Sequence, residues 1–181
     1  MKWPGRCTSV GFDEACTEYD RSDIERIDQE PLMLTTGRIY VSPLSRTWCT
    51  AQSLFPTESF TEWKEIAEVP LRSYVDTDRT YPLWIWNIMG RLQWLMNSRR
   101  QSESHIETVR RANAVIDRLE AQAVDCTLVT HGFFLKTLLK QLKKRGYILT
   151  GDNHLRVQNL QMITAQKNNQ RRTHEKNSDN K

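Results

Sequence analysis

Cys126-Thr127-Leu128-Val129-Thr130-His131-Gly132-Phe133-Phe134-Leu135 decides how this chain folds. A short apolar run ends in a histidine and a glycine, and an amphipathic helical pattern follows at once. The stretch therefore reads as a strand at 126–130 and a helix at 133–145, which Gly146 stops. His131 then stands at the carboxyl end of a parallel strand, beside the free N–H groups of a helix start. Open α/β sheets bind ligands at that place, anions in particular.

The same alternation recurs outward from this unit. Gly37-Arg38-Ile39-Tyr40-Val41-Ser42 reads as a second buried strand, and Pro43 opens a helix whose first turn holds Ser45 and Arg46. Phe12, Ala15, Cys16 and Tyr19 recur at helical spacing after Gly11 and predict a short helix over 12–20. Residues 66–69 read as a weaker strand, ended by Pro70. Trp84, Ile85, Ile88, Leu92, Leu95 and Met96 give 83–97 a helical pattern with aromatic bulk. Ser104-His105-Ile106-Glu107 fits a capping box and opens a long helix with Ile106, Val109, Asn113, Ile116 and Leu119 inward. Residues 155–163 alternate loosely and read as a last strand. Strands that alternate with helices predict an α/β fold, a three-layer sandwich with a mainly parallel sheet and helices on both faces.

The 181 residues, 38% of them hydrophobic, suit one globular domain, expected over 1–165. Residues 166–181 are expected to form a disordered polar tail, since Asn, Gln, Lys and Arg cannot bury enough surface to offset chain entropy. Five basic residues there face only Glu175 and Asp179, so the tail carries three of the four net positive charges. The body is nearly neutral, which argues against nucleic acid as a partner. The longest apolar run, 81–90, is interrupted by Asn87 and ended by Arg91, short of the ~20 residues of a bilayer span, so no membrane association is expected. Lys2 has no apolar stretch behind it, and neither a secretory nor a transit signal is read. Cys7, Cys16, Cys49 and Cys126 lack CxxC pairing and histidines at zinc-ligand spacing, which points to reduced thiols in the cytoplasm with no metal and no cofactor.

Two strand-loop-helix units place phosphate-competent side chains at their turns. Arg46 can hold phosphate oxygens bidentately, His131 can donate to the same oxygens or attack, and Gly132 lets the backbone come close. Other suggestive residues have plainer readings. His105 and His154 lack the strand-end setting and are taken as surface residues. Lys136, Lys140, Lys143 and Lys144 form a solvated helical face. Trp84, Trp86 and Trp94 are read as core or pocket cover.

Tyr40-Val41-Ser42-Pro43-Leu44-Ser45-Arg46-Thr47, with Thr50-Ala51 after it, resembles the second motif of the histidine phosphatase, or phosphoglycerate mutase-like, superfamily. Leu128-Val129-Thr130-His131-Gly132 resembles its last motif, in the matching order and separation. Trp63-Lys64-Glu65-Ile66 resembles the segment that supplies the family's proton donor, and Ser102-Glu103-Ser104 with Arg110 its helix-opening element. The similarity spans about 38–165.

The resemblance implies phosphomonoester hydrolysis through a phosphohistidine, with a small phosphorylated molecule as substrate. Arg46, His131 and Gly132 would bind phosphate, and Glu65, or Glu68 as the alternative, would protonate the leaving oxygen. His131 also counts as catalytic, because it matches the family's second histidine, which stabilises charge and does not attack. The family's attacking histidine lies in an Arg-His-Gly motif at the end of a first central strand, and this sequence contains no Arg-His-Gly. The expectation is therefore a sandwich lacking that strand. Its activity depends on an Arg-His-Gly upstream of Met1, the alternative being an inactive phosphate-binding pseudo-phosphatase. Oligomeric state is left open.

Overall fold

The computed structural model describes residues 3–22, 30–32, 37–151 and 159–168. In chain order its elements are β1 (Arg6–Cys7), α1 (Ser9–Arg21), β2 (Arg38–Val41), α2 (Ser45–Leu54), β3 (Phe60–Glu62), a single 3-10 turn (Lys64–Ile66) and β4 (Tyr81–Pro82). Then follow α3 (Leu83–Leu95), α4 (His105–Gln122), β5 (Cys126–Val129), α5 (Gly132–Lys144), β6 (Tyr147–Thr150) and β7 (Thr164–Lys167).

β2 organises the centre. It pairs in parallel with β3 on one side and β5 on the other, setting Val41 opposite both Glu62 and Val129. Strand geometry sends alternate side chains to opposite faces, and β2 is buried on both. Ile39 and Val41 pack with Ala51, Leu54 and Phe55 of α2 and its end. Tyr40 packs on the other face with Val115 and Ile116 of α4 and Phe134 and Leu138 of α5. Helices thus cover both faces, as expected for an α/β sandwich with a parallel sheet. Among the described residues β5 pairs only with β2, while β6 and β7 form a separate antiparallel pair and β1 and β4 another.

Gly37 at the foot of β2 has φ +111°, and a Cβ there would meet the Asp125 carbonyl, so only glycine lets the two strand starts approach. The helix after His131 ends as its sequence predicts, with Gly146 at φ +83° two residues past Lys144. The capping box of α4 is formed, Ser104 Oγ accepting from Glu107 N–H and the Glu107 carboxylate accepting from Ser104 N–H.

Several expectations require correction. The sheet's third strand is β3, and residues 66–69 are not a strand: Phe60-Thr61-Glu62 is a short edge strand with two exposed polar residues, which leaves no hydrophobic period to read. Pro43 precedes the helix by two residues and lies in the tight turn between β2 and α2. In α4 the buried positions are Thr108, Ala112, Val115 and Ile116, while Ile106 is exposed. α3 carries two apolar stripes, and the inward one is Trp86, Gly90 and Trp94. Gly90 suits this face, because a Cβ there would crowd the Leu71 side chain and come within 3.1 Å of the Arg72 carbonyl. Trp84 (62% exposed), Ile88, Leu92, Leu95 and Met96 (70%) face outward.

The predicted last strand falls partly outside the described residues. Its visible part, 159–163, is a turn and an irregular stretch, and the strand proper is β7. β7 runs to Lys167, two residues into the expected tail, and 169–181 lie outside the described residues. Among those described, no helix is long and apolar enough to cross a membrane.

Candidate functional site

The carboxyl ends of β2 and β5 lie side by side, and each delivers one functional side chain. After Val41 the chain turns sharply, Thr47 Oγ1 donating to the carbonyls of Ser42 and Leu44. This turn starts α2 at Ser45 and carries Arg46 over the sheet end. After Val129 and Thr130, His131 occupies the N-cap position of α5 with an extended backbone.

These side chains meet. Arg46 Nε donates to His131 Nδ1 at 3.2 Å, and His131 Nε2 lies 2.7 Å from Ser42 Oγ. An arginine can only donate, so Nδ1 must carry a lone pair; the ring's proton is then on Nε2 and is donated to Ser42 Oγ. His131 is 6% exposed. Burial first, then the cations of Arg46 and Arg111, push its pKa from 6.5 down to about 3. The arrangement also excludes a serine nucleophile: in a Ser-His-Asp triad a carboxylate accepts from Nδ1 and Nε2 accepts from serine. Here both polarities are reversed. Arg46 is held in turn by α1, its Nη1 donating to Asp20 (3.1 Å) and the Tyr19 carbonyl, with the guanidinium over the Tyr19 ring.

The two candidate acids are placed very differently. Glu65, which the sequence reading favoured, is exposed, and among the described residues its carboxylate makes no hydrogen bond or ion pair. Its neighbour Ile66 is fully buried, and that opposition turns Glu65 to solvent. Glu68 instead reaches the start of α5, accepting from Phe134 N–H at 2.9 Å and Phe133 N–H at 3.2 Å. These are orphan donors of a helix whose own N-cap side chain makes no capping bond. Glu68 thus binds the chain two and three residues beyond His131. Gly132 opens α5, and among the described residues its N–H has no hydrogen-bond partner.

In the helix-opening segment, Arg111 pairs bidentately with Glu103 (3.0 and 2.9 Å), and Arg110 is exposed. His105 packs edge-on against Trp94, and His154 lies outside the described residues. No group of metal-ligating side chains occurs among the described residues.

A family model, histidine phosphatase superfamily (branch 1), matches residues 20–179. The chain belongs to this superfamily. No curated protein matches it. Among solved structures, a mutant phosphoserine phosphatase from Entamoeba histolytica, in complex with phosphoserine, is 20% identical with a TM-score of 0.45. Phosphoserine phosphatase in complex with 3-phosphoglyceric acid, from the same organism, is 19% identical with a TM-score of 0.42. Each match covers 60% of this chain and 57% of the other, so the chain spans little more than half the length of the structures it matches.

Proposed function

We propose that this histidine phosphatase-family chain binds a small phosphomonoester at the His131 turn and supplies the phosphate-holding and acid side of a hydrolytic site. One observation carries the reading: a buried, neutral His131 wedged between Arg46 and Ser42 at the carboxyl ends of two adjacent parallel strands. A phosphate oxygen is a stronger acceptor than the Ser42 hydroxyl, so the dianion replaces it as partner of Nε2–H. Arg46 supplies the guanidinium and Gly132 a helix-start amide. Glu68 is the carboxyl group beside this turn, and once it has taken up a proton it can pass that proton to the departing oxygen. Hydrolysis also needs an attacking group, and no Arg-His-Gly occurs in these 181 residues. Turnover is therefore proposed for a polypeptide that carries that histidine, and binding for the chain as given. The four cysteines are free thiols, consistent with the cytoplasm as the working compartment.

Calorimetric titration with inorganic phosphate and with vanadate tests this reading. Saturable binding that Arg46→Ala abolishes supports it, and binding that Arg46→Ala leaves intact refutes it. A generic aryl phosphate, assayed in parallel, separates a working phosphatase from a phosphate-binding pseudo-enzyme.

A further inference from the structure

The segment that carries Glu68 has no ladder or helix to fix it beyond the single turn at Lys64–Ile66. Its backbone is pinned by side chains from α3, α4 and the turn between β5 and α5. Arg111 of α4 donates to the carbonyls of Glu65 (2.9 Å) and Ala67 (2.8 Å), and Thr130 Oγ1 donates to the carbonyl between them, Ile66 (2.6 Å). Arg91 of α3 donates to the Val69 carbonyl (3.2 Å). Four carbonyls flanking Glu68 are thereby held.

The same two arginines also hold the residues that Glu68 binds. Arg91 stacks on the Phe133 ring at 3.7 Å and Arg111 on the Phe134 ring at 4.3 Å, while Glu68 accepts from the N–H groups of Phe133 and Phe134. Arg111 is locked by its fork to Glu103. Arg91 has no carboxylate within ion-pair distance among the described residues. Burial lowers its pKa, and the charge of Glu68 is the first influence acting against that. A guanidinium kept half-buried without an ion-pair partner is costly, which argues for a positioning task.

We propose that Arg91 and Arg111 are paired positioning residues that hold the Glu68 carboxylate on the first turn of α5. This deepens the functional reading above and rests on Glu68 as its acid. Each arginine grips the backbone around Glu68 with its nitrogens and the matching phenylalanine with its face, so carboxylate and amides keep one geometry. The planar fork of Arg111 meets two carbonyls and a carboxylate at once, which a lysine ammonium cannot do.

Residue-resolved amide NMR on the full chain tests the cradle. In Glu68→Gln, the Phe133 and Phe134 amide protons should lose their downfield shift and exchange about ten-fold faster, the effect of one lost charge-assisted hydrogen bond. Arg111→Gln and Arg91→Gln should reproduce both changes at these two amides, while Ala112 and Val115 in the middle of α4 keep their protection. Arg91→Lys should restore the amides in part, because the single carbonyl contact can be remade while the planar face on Phe133 is lost, and Arg111→Lys should not. Combining Arg111→Gln with Glu68→Gln should add nothing at Phe133 and Phe134. Unchanged amides in both arginine variants, or additive effects in the combination, overturn the proposal. If Arg111→Gln unravels α4, Arg91→Gln, which leaves the Glu103–Arg111 pair intact, gives the same reading. Phosphate titration of the unmodified chain is scored separately, so failure of the phosphate site is distinguishable from failure of the cradle.

Discussion

Arg46 donates its Nε–H to Nδ1 of His131 at 3.2 Å, a bond that only a neutral imidazole can accept. The guanidinium is thus both a partner for the ring and a charge that opposes its protonation. Replacing Arg46 with methionine removes the larger of the two cationic influences on His131 and leaves the burial and the Arg111 charge in place. The His131 pKa is expected to rise from about 3 and to stop short of 6.5. A histidine-selective NMR titration of the two proteins checks this; superimposable curves would show that Arg46 exerts no such field.

The same depressed pKa makes the fold acid-sensitive. Between pH 6.5 and about 3 the unfolded chain protonates His131 and the folded chain does not, so unfolding takes up a proton and stability falls as pH falls through that window. The full effect is on the order of 4 kcal/mol, reached near pH 3. His131→Asn should flatten the slope of unfolding free energy against pH in this window, measured by urea melts at half-unit intervals. An equal slope in both proteins would assign the acid sensitivity to other groups.

Phosphate binding should reverse the balance at the ring. A dianion beside Nε2 favours the imidazolium, so binding of sulfate, a tetrahedral dianion whose charge is constant between pH 5.5 and 7, should be accompanied by proton uptake. Calorimetry in two buffers of different ionisation enthalpy reads this directly. Apparent enthalpies that do not depend on the buffer would mean that His131 stays neutral in the complex.

Glu68 and Glu65, three residues apart, should respond differently to loss of charge. Glu68→Gln removes a carboxylate from two helix-start amides and should cost about 1–2 kcal/mol of stability. Glu65→Gln alters an exposed side chain and should change stability by less than about 0.5 kcal/mol. In a polypeptide that hydrolyses phosphomonoesters, only the first change should slow turnover of substrates with poor leaving groups. Equal effects of the two substitutions would contradict the assignment of Glu68 as the acid.

Much of this was legible in the sequence because local signals and tertiary demands agreed. Strand, turn and helix around His131 carry consistent periods, and Ser104 with Glu107 is a complete local motif. The juxtaposition of Arg46 and His131 has the same source, since each sits just after a buried strand. The two glutamates could not be ranked this way, because their orientation depends on which neighbour is buried. Ile66 is buried by contacts with α4 and α5 that no local pattern records. Strand β3 was missed for a related reason. A three-residue edge strand with polar side chains is held by backbone pairing to β2, which leaves no trace in hydropathy.

Helix α3 shows the same limit at its clearest and offers the sharpest stability contrast. Trp84 and Trp86 are two residues apart on one helix and equally apolar, so composition cannot rank them. Trp86 is fully buried against Phe12, Tyr74 and Tyr81, and its Nε1–H donates to the Cys7 carbonyl at 3.1 Å. Trp86→Ala should therefore cost about 3–5 kcal/mol, combining lost burial with the cavity left behind. It also strands a buried carbonyl, which adds to the cost. Trp84 is 62% exposed, and Trp84→Ala should change stability by about 0.5 kcal/mol or less. Denaturant unfolding of the two variants decides the matter, and a larger loss at Trp84 would mean that the outer stripe of α3 is covered in the folded protein.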